Sequence, residues 1–245
     1  MPGTDSRSDF SPAAQARVAG LFYLAVIGLG VATLMLRGKL LVRGDGVATA
    51  ANIAAHDLEY RLSLLAEVTA SLAYLCVIVL LFRLMAPAGR QLSSLAAAFG
   101  FAGCTAGAIA VVPLALPLIE ATNGIAPDPQ ITLLAVGAYS FAYKTALIFF
   151  GCYCLLLGTL TVRAAFLPTL LGLLLIVSGI SWLCTGVATF VSPTAARAIG
   201  TFALAGGGLG ESLFTIWLIC FGISRRRWHE QVADPEFGNP APAFD

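Results

Sequence analysis

Six apolar runs, at 18–36, 62–82, 92–119, 131–162, 166–191 and 198–224, leave this 245-residue chain one class of fold. Each is close to or above the roughly 20 residues that a helix needs to cross a hydrocarbon core. Because lipid offers backbone groups no hydrogen-bond partners, runs of this kind cross as helices. Only 11% of the residues are charged, against roughly a quarter in soluble domains, so no soluble domain fits beside the spans. The expected architecture is all-α: a polytopic membrane helical bundle with six transmembrane helices, plus a short amphipathic helix in the first loop. Residues 1–15 read as a disordered tail, 16–224 as the transmembrane domain, and 225–245 as a basic, then disordered, tail. The first run exceeds a signal-peptide core and no small-x-small cleavage site follows it, so it reads as a retained helix.

Three charges interrupt these runs: Glu67, Lys144 and Glu211. A charge at bilayer depth costs at least a few kcal/mol, so it faces a partner or a wet cavity. Ser63, Glu67, Ser71 and Tyr74 follow at spacings of four, four and three, one helical stripe that should turn inward. Measured at 1.5 Å per residue from the nearest arginine on the side of the termini, Glu67, Lys144 and Glu211 stand about 24, 28 and 21 Å away. All three then fall in the far third of the membrane, as expected of a shared polar site. Two acids meeting one base leave a surplus acid, which is what a cation or proton site needs.

The first loop, 37–60, holds the turn Gly44-Asp45-Gly46, and Asp45 is placed to cap a short helix over 47–56. That helix should lie on the interface or fold over the bundle mouth, with Asp45, Asn52, His56 and Arg61 as a lid. Gly137, Lys144, Gly151 and Gly158 recur every seven residues, and Gly172, Gly179 and Gly186 repeat the device. Small residues in this pattern let helices approach closely, so the fourth and fifth spans should pack together or each against a third. Gly206-Gly207-Gly208-Leu209-Gly210 precedes Glu211 and permits either close approach or local unwinding. Pro113 and Pro117 should kink or end the third span.

Catalytic chemistry is not visible. The only histidines, His56 and His229, lie in a loop and a tail, which excludes bis-histidine haem ligation within the membrane. No metal-protease, phosphate-loop or dinucleotide motif occurs. The six cysteines sit inside hydrophobic runs and read as small packing residues rather than a disulfide framework. No metal or cofactor is expected. A net charge of +1 offers no polyanion-binding surface, so nucleic acid is not a partner.

The chain resembles a bacterial family of integral membrane proteins known as domain of unknown function 4386. The likeness is carried by Ala16-Arg17-Val18-Ala19-Gly20-Leu21-Phe22-Tyr23-Leu24, by Gly44-Asp45 with Thr49, Asn52, His56 and Arg61-Leu62, and by Phe82-Arg83-Leu84 with Pro87. Phe149-Phe150-Gly151 with Cys154, Phe166-Leu167-Pro168, and Gly210-Glu211 with Leu213 and Trp217 complete it. The resemblance implies a helical membrane protein of about six or seven spans with no established activity. It marks Asp45 and Glu211 as part of the family pattern. That pattern more often has Asp in place of Glu67, His in place of Tyr153 and a neutral residue in place of Lys144.

Two functions are expected. One is a small-solute or cation site for transport or sensing, built from Glu67, Lys144 and Glu211 beneath the first loop. The other is a non-enzymatic scaffold whose ion pairs only fix packing. An intramembrane lipid-modifying enzyme ranks last, since no nucleophile and base are evident. Arginine and lysine distribution, eight on the side of the termini against five opposite, places both termini in the cytoplasm of a bacterial inner-membrane protein. The expected partners are the lipid bilayer and a small solute or cation; the oligomeric state is left open.

Overall fold

Side-chain caps and prolines set the helix ends where the hydropathy pattern breaks. The computed structural model describes residues 11–233, except for the side chains at 193, 197 and 200–205. The described residues form nine α-helices and no strand. Helix α1, Pro12–Gly38, is capped by Ser11 and starts on a proline, whose missing N–H costs nothing in the first turn. Its onset at residue 12 shortens the expected N-terminal tail; residues 1–10 lie outside the described residues. Asp45 caps α2, Gly46–Ala55, by accepting from the Ala48 amide at 2.9 Å. Helix α3 runs Asp57–Met85 and a 3₁₀ turn, Ala86–Ala88, leads to α4, Arg90–Ala110. Pro113 and Pro117 do end α4: a second 3₁₀ turn and the short α5, Leu116–Thr122, follow. Asp128 caps α6, Pro129–Arg163, and Ser192 caps α8, Pro193–Cys220; α7, Thr169–Val191, lies between them.

Five stretches are long and apolar enough to cross a membrane: Pro12–Gly38, Asp57–Ala88, Arg90–Thr122, Pro129–Arg163 and Thr169–Val191. A sixth arises if Gly206–Cys220 and the following helix count as one bent span. That last helix, α9, Arg225–Ala233, turns 101° away from α8. Residues 225–233 are thus folded, which the basic tail did not lead one to expect; residues 234–245 lie outside the described residues. Trp228 donates to the Leu84 carbonyl at 3.1 Å, and Gln231 bonds both the Arg163 carbonyl and the Ala165 amide. These contacts tie α9 across the ends of α3 and α6.

The spans close into a ring in the order α1, α3, α4, α6, α7, α8 and back to α1. Glycine sets its tightest seam. A Cβ on Gly158 would stand 2.7 Å from the Gly172 carbonyl oxygen, and one on Gly179 would stand 2.8 Å from that of Gly151. Gly186 meets α6 at the Lys144 carbonyl, also at 2.8 Å. The two glycine series therefore face each other across α6 and α7. Gly137 falls outside the seam, with open space around it. In α8 the glycine run is continuous helix, not an unwound break. It is there for contact: Cβ atoms on Gly207 and Gly210 would collide with Trp182 and with Leu174 of α7.

At the mouth opposite the termini, α2 folds over the bundle with Thr49, Ala50 and Ile53 inward. Ile53 joins Leu40, Tyr60 and Leu114 in a small second core. Val47 and Leu58 stay exposed, the disposition of an interfacial element with lipid on its outer side.

Forcing a side chain into the α6–α7 seam should destabilise by about 1–3 kcal/mol. Gly158→Val and Gly172→Val should each lower the detergent melting temperature, while Gly137→Ala should leave it unchanged. Equal melting temperatures for all three would contradict this packing.

Candidate functional site

The intramembrane charges are satisfied in two separate clusters. The outer cluster lies beneath α2. Arg37, in the last turn of α1, brings its Nη2 to 2.6 Å from Glu67 Oε2, with both side chains almost fully buried. The contact is one of charge to charge, since no aligned hydrogen bond reaches that oxygen. Tyr139 of α6 donates to the other oxygen of Glu67 at 2.9 Å. The Arg37 guanidinium lies 4.8 Å from the centroid of the same tyrosine ring, a cation–π contact that strengthens where water is excluded. Ser63 bonds Arg37 through its hydroxyl and its carbonyl, at 3.4 and 3.3 Å, and Thr33 shares that carbonyl. Tyr60 completes the layer by donating to Leu114 at 2.8 Å. Four elements are thereby tied together by polar groups that lipid could not satisfy.

The inner cluster surrounds Glu211 of α8. Tyr23 of α1 donates to Glu211 Oε2 at 2.6 Å, and Trp182 of α7 donates to Oε1 at 2.5 Å. The Cys154 thiol of α6 lies 3.8 Å from Oε1. Tyr74 of α3 pairs its hydroxyl with that of Tyr23 at 3.2 Å. Edge-to-face contacts join Tyr74 to Tyr23, Phe150 and Tyr153 at centroid distances of 5.4, 5.0 and 5.9 Å. Tyr153 is buried with no partner for its hydroxyl, and its ring rests against Gly100 of α4. All six helices of the ring thus converge on this cage. Among the described residues every group touching the carboxylate of Glu211 is a neutral donor, and no lysine or arginine comes within 4.0 Å.

The two clusters are not one site. Tyr74 stands seven residues from Glu67 on α3, which places the layers about 10 Å apart along the membrane normal. Lys144 joins neither: it is half-buried, and no carboxylate among the described residues lies within 4.0 Å. Its heptad face meets α7 through its backbone, at Gly186. The expected triad is therefore replaced by an Arg37–Glu67 pair and a separately caged Glu211. Of the α3 stripe, Ser63, Glu67 and Tyr74 are buried, whereas Ser71 is half-buried and bonds back to the Glu67 carbonyl at 3.2 Å.

The loop residues hold the cap rather than reach the charges. Asp45 caps α2, and Asn52 donates to the Leu40 carbonyl at 3.2 Å. His56 is exposed, 3.1 Å from the Asn52 carbonyl. Arg61 pairs on the outside with Asp57 at 2.7 Å. Arg37, Tyr139, Tyr23, Trp182 and Cys154 are the residues that sequence reasoning did not place in a site. The signal for Arg37 was its position one membrane-length from the start of α1, on a helix paired with that of Glu67.

These features define a multi-pass helical membrane protein with two internal polar layers. The chain belongs to the family described as domain of unknown function (DUF4386), whose model matches residues 18–222. No curated protein and no solved structure was found to match it.

Removing one partner of a buried ion pair strands the other charge and costs about 3–5 kcal/mol, whereas replacing both with apolar groups is near neutral. Arg37→Met should therefore melt far below wild type in detergent, and Arg37→Met/Glu67→Leu should recover most of the loss. Lys144→Met should be close to wild type. Losses from Arg37→Met and Glu67→Leu that simply add would contradict the pair.

Proposed function

We propose that this protein binds a proton or small cation at Glu211, as the core of a transport or sensing device, and that it is not an enzyme. One observation carries the reading: Glu211 is a carboxylate inside the bundle whose partners among the described residues are all neutral donors. Donors from Tyr23 and Trp182 orient both oxygens but supply no compensating charge. A bare anion at this depth is costly, so a cation must accompany it, and a proton is the smallest that fits. Intramembrane carboxylates in such surroundings serve proton relays and ion sites. The Arg37–Glu67 layer under α2 would then close the outer side of the path and the Tyr74–Tyr153 aromatics would line it. Arg17, Arg83, Arg90, Arg163, Arg225, Arg226 and Arg227 crowd the opposite mouth, which supports an inner-membrane orientation with both termini in the cytoplasm.

The scaffold reading draws on a different observation, that Arg37, Glu67, Ser63, Tyr60 and Tyr139 of the outer layer all find protein partners. On that reading both layers specify which helices pack together and nothing binds.

The two separate in proteoliposomes. Under an imposed pH gradient, an internal pH dye should report exchange with wild-type protein and with Lys144→Met, and little with Glu211→Gln. Infrared spectra across a pH titration should show a carboxylic acid band that Glu211→Gln removes. A silent wild-type protein, with Glu211→Gln equally stable and no band lost, would overturn the proton reading and leave the scaffold.

A further inference from the structure

The face that carries the termini holds a groove at the junction of α7, α8 and α9. Its volume is about 480 Å³. Gly222, at φ +65°, makes the turn that sends α9 away from α8. Ser224 donates its amide to the Phe166 carbonyl at 3.3 Å and fixes the floor. Pro168, Trp217 and Phe221 form an apolar wall, with the Trp217 and Phe221 rings 4.5 Å apart. Phe221 is 66% exposed and Leu170, just beyond the groove on α7, is 65% exposed. Such exposure at the end of a membrane span places that wall among acyl chains rather than in water.

The opposite rim is cationic. Arg227 lines the groove, using Nη1 on the Ala165 carbonyl at 3.3 Å, and its other donors have no partner among the described residues. Arg17 of α1 flanks Gly222, its Nε 3.9 Å from the position a Cβ would take there. Among the described residues this whole mouth carries seven arginines and one acid, Glu230, which is already engaged by Arg226 at 2.8 Å. A groove with an aromatic wall facing the acyl region, and at headgroup level guanidinium groups that no carboxylate among the described residues neutralises, fits one amphiphile. We infer that it seats an acidic phospholipid, with the headgroup phosphate on Arg227 and Arg17 and one acyl chain along Pro168, Trp217 and Phe221. Guanidinium is suited to this because its planar fork matches phosphate oxygens. Charge complementarity selects the acidic lipid over a zwitterionic one, and basic residues at the membrane surface are worth about 1 kcal/mol each toward such lipids. This seat does not depend on what Glu211 does, since it lies at the membrane surface and not in the ring.

The test uses the full chain in detergent micelles, titrated with brominated phosphatidylglycerol or brominated phosphatidylcholine while tryptophan fluorescence is read. Of the three tryptophans, Trp217 lines the groove, Trp182 is inside the bundle and Trp228 is docked on the Leu84 carbonyl, so the quenching lost in Trp217→Phe reports the seat. The expected result is saturable quenching by phosphatidylglycerol at lower mole fraction than by phosphatidylcholine. Arg17→Gln and Arg227→Gln should each weaken that preference by about fivefold. Arg17 contributes no bond to α9, so its variant keeps the test valid should Arg227→Gln loosen the helix. Equal quenching by both lipids, or a preference unchanged in Arg17→Gln and in Arg227→Gln, would overturn the proposal. So would displacement of the lipid by millimolar inorganic phosphate, which would make the site one for a free anion.

Discussion

A bilayer cannot hydrogen-bond what a helix carries into it, and that constraint shapes this bundle. A carboxylate carried to that depth needs partners from other spans. Glu67 finds Arg37 and Tyr139; Glu211 finds Tyr23, Trp182 and Cys154. These partners come from α1, α6 and α7, so the charges specify which faces of the ring turn inward. Apolar surface could not do this, because lipid is as good a solvent for leucine as another helix is. Close packing then depends on glycine. The α6–α7 seam and the α7–α8 contact bring backbones near enough for Trp182 to reach Glu211, since a side chain at Gly207 would occupy the indole's place.

The two layers differ in what they hold. The outer one is a neutralised pair with aromatic cover, beneath a capped helix that is itself anchored by Ile53, Tyr60 and Leu114. Its components stabilise one another and leave no charge over. The inner one holds an acid among neutral donors. Preorganised donors without a counterion make a carboxylate responsive to whatever cation can arrive, which is why the functional reading settles on Glu211 and not on Glu67. The face carrying the termini is different again, with the Trp217–Phe221 wall beside Arg227, which no carboxylate among the described residues approaches within 4.0 Å.

Much of the fold was legible because membrane spans announce themselves by length. The two glycine series and the Ser63–Glu67–Tyr74 stripe were legible because helical periodicity puts each on one face. Arg37 was not, for it sits where an apolar run ends and a charge there reads as a boundary. Its long side chain turns back into the bundle instead. Tyr23, Tyr139 and Trp182 carry no signal of their own, since aromatic residues are common in membrane helices and only the facing carboxylate gives them a role. Lys144 misled for the opposite reason: its heptad face is a contact face, but the contact is made by its backbone against Gly186. Depth counted in residues could not separate the two carboxylates, because it fixes height on each helix and not which neighbours lie beside it.

The central claim is that the acid of α3 is neutralised within the bundle by the end of α1. Solid-state NMR on the protein in lipid bilayers, with ¹⁵N in arginine side chains and ¹³C in glutamate carboxyls, measures that contact directly. The account predicts a short guanidinium–carboxyl contact, one C–O bond beyond the 2.6 Å nitrogen–oxygen separation at most, in a signal that vanishes in Glu67→Gln while the surface pair of Arg226 and Glu230 persists. A spectrum that is the same with and without Glu67, or a Glu67 carboxyl coupled instead to the Lys144 ammonium, would contradict it.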